Sequence, residues 1–305
     1  MEKYKIMKTY LITGVNGFVG RNLANKLLNQ NYKVIGIGRK EDRTNIYGNE
    51  NYHYLKLDLS SSNFNVLNSF KINGIFHLAS QQPSSKNITY EMYYKSNVES
   101  TLNLIKYCNS LSLDFFAYTS TISIFGQPNK STINENTIPQ PENFYSLTKY
   151  ISETMLKIES ANLKTKVLVL RLQSVFGIGD GYGIVHTFYE DLKNNIDIEL
   201  FSQGKINRNL VLIDDVIDVL HKIIFKHTKL NKFDVFNVAS NNSLSTYEIA
   251  SIVKNFLNSN AKIICSNKKY MFDWDVYVDN SKIKKELDVK LHSLENAVIK
   301  YLKNK

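Results

Sequence analysis

Between Thr9 and about Val175 the chain alternates short apolar runs with longer stretches whose apolar residues recur every three or four positions. This is the pattern of strands alternating with amphipathic helices around a parallel sheet. The runs Tyr10–Thr13, Lys33–Ile37, Tyr52–Lys56, Gly74–Leu78, Phe115–Thr119 and Val167–Leu172 are rich in β-branched and aromatic residues, and each is bounded by polar residues or glycine. They predict six strands. Val19, Leu23 and Leu27, and again Val98, Leu102 and Ile105, fall on single helical faces suited to covering a sheet. The expected fold class is therefore α/β, with a doubly wound parallel sheet. Beyond Gly177 the alternation loosens, although Phe233–Val238 reads as one more buried strand and Leu244–Leu257 as a helix capped near Ser245. Asp214 and Asp215 open an apolar helix, Val216–Ile224, where carboxylates suit capping of a helix N-terminus.

Composition narrows the class without changing this layout. The chain has 305 residues, 43% of them hydrophobic, which supplies a sizeable core. Four prolines and thirteen glycines are dispersed, and no linker, repeat or biased tract stands out. No stretch approaches the roughly 18 to 20 apolar residues of a membrane span. The start, Met1 to Lys8, is polar and basic and lacks the apolar core of a secretory signal, so a cytoplasmic location is expected and no membrane partner. Cys108 and Cys265 lie in no metal-ligand spacing and read as reduced packing residues, with no metal expected. The net charge of +10 comes from lysines scattered among Asn and Ile rather than gathered in a stripe. Nucleic acid is therefore not the expected partner, whereas a diphosphate-bearing substrate suits a basic surface.

The first strand runs into Gly14-Val15-Asn16-Gly17-Phe18-Val19-Gly20 and then a helix. In that position Gly14 permits a tight turn, Gly17 lets backbone approach a pyrophosphate, and Gly20 lets the helix pack closely. The helix N-terminus, with Phe18 and Val19, then faces the anion. This makes the sheet a Rossmann-type one. An acidic residue ending the second strand would bind the adenosine ribose of NAD, but the segment reads Gly38-Arg39-Lys40. Glycine there leaves room for a 2′-phosphate that Arg39 could clasp, with Lys40 adding charge, so NADP(H) is favoured and NAD(H) stays possible.

Tyr145-Ser146-Leu147-Thr148-Lys149 places a tyrosine and a lysine one helical turn apart. A neighbouring ammonium favours the phenolate and would lower the tyrosine pKa toward the range of a working acid or base. Upstream, the apolar strand Phe116-Ala117-Tyr118 ends in the hydroxyls Thr119-Ser120-Thr121.

Together these segments resemble the extended short-chain dehydrogenase/reductase family, also described as NAD-dependent epimerases/dehydratases, in its nucleotide-sugar-modifying branch. The glycine turn is similar to the family's TGxxGFxG. Asp58-Leu59 resembles its adenine-contacting pair, and His77-Leu78-Ala79-Ser80 its fourth strand end, with His77 itself read as a packed histidine. Asn97 matches the helix asparagine that supports the site. Phe125-Gly126, where Tyr-Gly is usual, sets the register so that Thr121 is the catalytic hydroxyl, with Ser120 the alternative. The resemblance continues through Leu170-Arg171-Leu172, Val175-Phe176-Gly177, Arg208, Ile213-Asp214-Asp215-Val216 and Phe236-Asn237-Val238.

The resemblance implies Thr121, Tyr145 and Lys149 as catalytic residues. It implies a cofactor site of Gly14, Gly17, Phe18, Val19, Gly20, Gly38, Arg39, Lys40, Asp58, Leu59, Leu78, Ala79, Ser80, Asn97 and Thr119 with the same tyrosine and lysine. Thr121, Tyr145, Ser174 and Arg208 are expected at a nucleotide-diphosphate sugar. Residues 1–175 are expected to form the dinucleotide-binding domain, with 210–240 returning to it, and 176–305 mainly a smaller mixed α/β substrate-binding region. Relatives pair through the helix after Asn97 and the helix of Tyr145, which implies a homodimer. Trp274 reads as core of the second region.

Similar dehydratases carry Asp-Glu directly after the catalytic threonine, where this chain has Ile122-Ser123. Isoleucine transfers no proton, so 4,6-dehydration is disfavoured. Double epimerisation is disfavoured too, because Ser123 stands near the place of a cysteine and His186 fits the second position only loosely. The expected activity is reduction or oxidation at C4 of a nucleotide-linked sugar, a 4-keto-sugar reductase of surface-polysaccharide sugar biosynthesis. The alternative is a 4-epimerase with retained NAD. A non-catalytic dinucleotide sensor would not need the intact Thr121, Tyr145 and Lys149.

Overall fold

The computed structural model describes residues 7–46, 48–61, 63–83, 88–111, 113–127, 132–269 and 274–305. Most of the basic start, residues 1–6, lies outside the described residues. Strand β1 (Thr9–Thr13) is buried at four of its five positions, as a strand covered on both faces must be. It pairs in parallel with β2 (Lys33–Gly38), which in turn pairs with β3 (Tyr52–Lys56). On its other side β1 pairs in parallel with β4 (Gly74–His77), and β4 with β5 (Phe115–Thr121). With β6 (Lys166–Leu172) and β7 (Phe233–Val238) the order is β7-β6-β5-β4-β1-β2-β3. The order reverses between β1 and β4, and in open parallel sheets that switch point, at the carboxyl ends of the strands, is where ligands bind. All six expected strands form, within two residues of their expected bounds, and Phe233–Val238 is the seventh.

Helix α1 (Phe18–Asn29) buries Leu23, Leu27 and Leu28. Helices α2 (Ser100–Cys108) and α3 (Phe144–Ser160) lay Leu104, Ile105, Cys108 and Leu156 in one core with Leu11, Ile35, Ile75, Phe116 and Val169 of the sheet. Leu, Ile and Val fill most of these positions, and each removes apolar surface from water at about 25 cal/mol per Å².

The chain forms two compact units, Met1–Gly126 with Pro141–Arg171 and Val219–Phe236, and Gln127–Gln140 with Leu172–Asp218 and Asn237–Lys305. Gln127–Gln140 joins the second unit because Ile133 N–H donates to the Tyr277 carbonyl at 2.8 Å and Asp279 N–H to the Ile133 carbonyl at 2.8 Å. The second unit has its own core, in which α4 (Ile184–Lys193) supplies Val185, Phe188 and Leu192. Between α4 and the next core helix lies α5 (Ile213–Lys226). Helix α6 (Thr246–Leu257) adds Ile249 and Val253 to that core, and α7 (Leu294–Lys303) adds Val298 and Tyr301. Ser245 caps α6 as expected, in a capping box with Glu248. Asp214 and Asp215 stand in the first turn of α5, and their oxygens also take partners from afar. Buried Asp215 accepts the His292 N–H at 2.9 Å and lies 2.6 Å from its Nδ1, and Asp214 pairs with Lys300 at 2.7 Å.

Two packing expectations fail. Trp274 is half-buried and outside the apolar cluster of its unit, its carbonyl accepting a 2.8 Å bond from Arg208 Nη1. Cys265 is exposed, because only the first residue of its three-residue strand Ile263–Cys265 is even half-buried, whereas Cys108 is buried as expected. No described helix is long and apolar enough to cross a membrane.

Glu153 of α3 and Arg171 of β6 form a buried ion pair, Glu153 Oε2 accepting from Nη2 at 2.8 Å and from Nε at 3.1 Å. Removing one partner strands the other charge away from water. Arg171→Met should therefore cost about 3 kcal/mol of unfolding free energy. The double change Glu153→Leu with Arg171→Met should recover most of it in urea denaturation. A single-variant loss near zero would contradict the assignment.

Candidate active site

The turn after β1 is built by backbone proximity. Gly14 adopts φ +69°, and a Cβ there would lie 2.8 Å from the Ala79 backbone. A Cβ on Gly20 would lie 2.4 Å from the Gly14 carbonyl oxygen, so α1 can approach β1 this closely only without a side chain. Gly17 is the N-cap of α1 and gives no side-chain cap, so no side chain of its own competes for the first amides of Phe18 and Val19. A bare helix N-terminus on a glycine turn at the switch point fits the pyrophosphate of a dinucleotide.

At the end of β2 the structure revises the reading of Gly38. A Cβ there would lie 2.5 Å from the Tyr54 hydroxyl and 2.9 Å from Asn16 Nδ2, so the glycine makes room for Tyr54 of β3. That hydroxyl bonds the Lys40 carbonyl and receives a 3.1 Å bond from Asn16. Arg39 Nη1 reaches Ser96 Oγ at 3.2 Å, and Nη2 reaches Gln81 Oε1 at 3.4 Å. The nearby carboxylates are engaged elsewhere: Glu41 with Lys56, and Asp42 with the Thr44 N–H and hydroxyl. Asp58 accepts from the Ser60 N–H and hydroxyl. Its partial burial opposes ionisation, but those bonds with the Arg39 and Lys95 charges hold its pKa below the usual range. Leu59 is buried in the core.

At the end of β4 the amides of Leu78 and Ala79 both donate to Thr13 Oγ1 at 3.2 Å. Asn97 sits in a π-helical turn, Tyr94–Glu99, a distortion that recurs at functional sites. Its Oδ1 accepts from Ser80 Oγ at 3.1 Å and Gln81 N–H at 2.8 Å, and its Nδ2 donates to Thr148 Oγ1 at 3.0 Å. Asn97 thereby fastens the strand-end segment to the helix of Tyr145 and Lys149. His77 is fully buried, 2.7 Å from Thr13 Oγ1 and 2.9 Å from Thr101 Oγ1, a packed histidine as expected. Burial, aided by the Lys149 charge, brings its pKa down to about 3.

Asn143 caps α3 by accepting the Ser146 N–H at 2.9 Å, which puts Tyr145 in the first turn and Lys149 one turn later. The Gln82 and Thr121 side chains stand near the Tyr145 hydroxyl and favour its ionised form. Successive strand residues face opposite ways, so only one of Ser120 and Thr121 can reach it. Ser120 Oγ is buried without a partner among the described residues. Lys149 is 1% exposed, donates to the Thr119 carbonyl at 2.6 Å and lies 4.1 Å from the centroid of the Tyr118 ring. Burial brings its pKa down to about 7, opposed by the Glu153 charge. The Tyr145 pKa moves opposite to expectation. Burial raises it, the nearby Gln82 and Thr121 side chains lower it in part, and the Lys149 ammonium is engaged with Thr119 and Tyr118.

Thr121 Oγ1 also donates to exposed Ser123 Oγ at 3.1 Å, and Ile122 is buried. Ser174 and Arg208 belong to the second unit, as does His186, which lies 3.3 Å from the Tyr301 hydroxyl. Gln82, Tyr118, Thr148 and Glu153 escaped the sequence reading. Only Thr148 and Glu153 left a trace, by lying on the helix of Tyr145 and Lys149.

A switch-point glycine turn and a strand-end hydroxyl beside a tyrosine–lysine helix define a dinucleotide-dependent enzyme of the short-chain dehydrogenase type. Residues 10–239 match the NAD dependent epimerase/dehydratase family, and the chain belongs to it. It is 30% identical to the uncharacterized protein MJ1055 of Methanocaldococcus jannaschii, over 93% of this chain and 91% of that one. Its fold is similar to that of UDP-glucose 4-epimerase from Thermotoga maritima, solved with UDP-glucose (TM-score 0.85, 22% identity, 97% of each chain). It is also similar to WbmG of Bordetella bronchiseptica, solved with NAD (TM-score 0.86, 19% identity, 99% of this chain and 95% of that one).

His77 yields a pH prediction. Its folded pKa is about 3 against 6.5 in a free side chain, so between these values the unfolded chain binds the extra proton and stability falls as pH falls. Relative to His77→Gln, the wild type should lose about 1.4 kcal/mol per pH unit between roughly pH 6 and 4. Urea unfolding of both proteins at pH 7, 6, 5 and 4 measures this, and parallel curves would refute it.

Proposed function

We propose that the chain transfers a hydride and a proton at C4 of a nucleotide-diphosphate-linked sugar, acting as a 4-keto-sugar reductase with NADP(H). The observation that carries the reading is the convergence of Thr121 and Tyr145 hydroxyls at the end of β5, with buried Lys149 one turn along α3. The cofactor, when bound, supplies the hydride from its nicotinamide ring. Thr121 hydrogen-bonds the C4 oxygen, and Tyr145 passes its phenolic proton to that oxygen as it gains charge. A phenol held protonated by burial suits the reducing direction, which consumes a proton. Lys149, in its protonated form, adds a positive charge close by, and Asn97 keeps α3 in register with the cofactor-facing segment Leu78–Gln81. Ile122 and Ser123 offer no carboxylate for eliminating water, so the chemistry stops at C4. Ser174 and Arg208 are assigned to the nucleotide diphosphate, for which a guanidinium fork is suited.

NADP(H) is supported by Arg39 at the end of β2 and by the commitment of Glu41 and Asp42 to other partners. One observation favours the second reading, a 4-epimerase with retained NAD: Tyr54 occupies the space beside Gly38 that a 2′-phosphate was expected to use. The exposed side chains Met92, Tyr94 and Phe144, on and beside the helices through which relatives pair, suit a homodimer.

UDP-, dTDP-, GDP- and CDP-linked 4-keto-6-deoxy sugars, together with the matching 4-hydroxy sugars, assayed with NADPH and NADH separately, decide between the two. NADPH oxidation is the expected result. Interconversion of C4 epimers without net cofactor consumption would replace the reductase by the epimerase.

In either case Tyr145→Phe should lower kcat about 10²- to 10⁴-fold, the usual contribution of a general acid, while the Kd for the dinucleotide stays within about twofold. Unchanged turnover would remove Tyr145 from the mechanism.

A further inference from the structure

A fully buried lysine needs something to stand in for water. Among the described residues the Lys149 ammonium has two direct contacts, the Thr119 carbonyl and the face of the Tyr118 ring. Tyr118 is 0% exposed, and its ring also stacks on His77, with centroids 5.5 Å apart and planes 29° from parallel. Among the described residues its hydroxyl has no hydrogen bond of normal geometry, so the side chain is held by packing and offers Lys149 its π face.

The other ionisable groups around the ammonium are accounted for. On α3, Glu153 gives its oxygens to Arg171 of β6, and Tyr145 is turned to Thr121 and Gln82. On β4, His77 is held between the Thr13 and Thr101 hydroxyls and stays neutral, so it adds no repulsion. With the nearest carboxylate committed elsewhere, the aromatic face is the direct partner left for the cation.

We propose that Tyr118 is a positioning residue for the reaction, whose ring face holds the Lys149 ammonium against the Thr119 carbonyl and keeps it charged. A cation over an aromatic face is attracted by the ring quadrupole, and most strongly where water is excluded. The preference belongs to the ring, not to the hydroxyl. This inference rests on the reading of Lys149 as the working cation, but it is tested on Lys149 itself, without substrate or cofactor.

The experiment is an NMR titration of protein carrying ¹³C at lysine Cε, with the Lys149 signal assigned by its loss in Lys149→Arg. Tyr118→Phe should leave the Lys149 midpoint in place. Installing 4-fluoro- and then 3,4,5-trifluorophenylalanine at position 118 weakens the quadrupole at nearly constant volume, so the fold is retained. The midpoint should then fall stepwise, by about one pH unit for the trifluoro ring. Tyr118→Leu should fall at least as far. A midpoint constant across the fluorinated series would overturn the proposal. If the midpoint falls while the pH dependence of turnover does not move, Tyr118 holds the Lys149 charge as proposed, but the catalytic role given to Lys149, and with it a role of Tyr118 in the reaction, fails.

Discussion

A charged amine enclosed at the end of a central strand is the constraint around which this molecule is arranged. Taking an ammonium out of water costs several kcal/mol before any contact repays it. The surrounding residues can be understood as the repayment. The Thr119 carbonyl and the Tyr118 ring touch the amine, and a carboxylate one turn further along α3 tempers the loss of charge while an arginine holds that carboxylate in place. The histidine beneath is kept neutral by its burial and by the lysine charge, and two threonine hydroxyls hold its ring in place.

The same polar layer fixes geometry. Thr13 joins the ends of β1 and β4, and Thr101 joins His77 to the Asn97 carbonyl. Asn97 joins the segment after β4 to Thr148, and Ser152 returns to the Asn97 carbonyl at 2.9 Å. Buried polar networks are costly when incomplete and rigid when satisfied. With the Lys149–Thr119 bond, this one links three strands and two helical segments, and so ties the strand-end segments to the tyrosine–lysine helix.

Much of this was legible in the order of residues. Continuous apolar runs located the inner strands of the main sheet, because a strand buried on both faces has little freedom in composition, whereas edge strand β3, with no fully buried residue, was marked by its aromatic residues. The glycine turn and the tyrosine–lysine spacing were visible because both operate within a few residues of chain. Readings that depended on neighbours across the sheet fared worse. The reason for Gly38 is Tyr54, on the next strand. The Tyr145 pKa is governed by enclosure and by what else the lysine touches, neither of which spacing reveals. Tyr118 and Gln82 gave no local sign at all. Trp274 shows the reverse error, since a large apolar side chain suggests a core position only until its neighbours are known.

The contact between Gly38 and Tyr54 bears on how this enzyme could change over evolution or in the laboratory. Placing an acid at position 38, the ordinary route to recognising an unmodified ribose, would drive its first carbon into the tyrosine hydroxyl on the adjacent strand. That hydroxyl is also tied to Asn16 of the glycine turn and to the Lys40 backbone. A switch in cofactor preference here is therefore an epistatic trait. An acid at 38 would have to displace the Tyr54 hydroxyl and the Asn16 amide, so exchanges at 38, 54 and 16 are expected to be energetically coupled rather than additive.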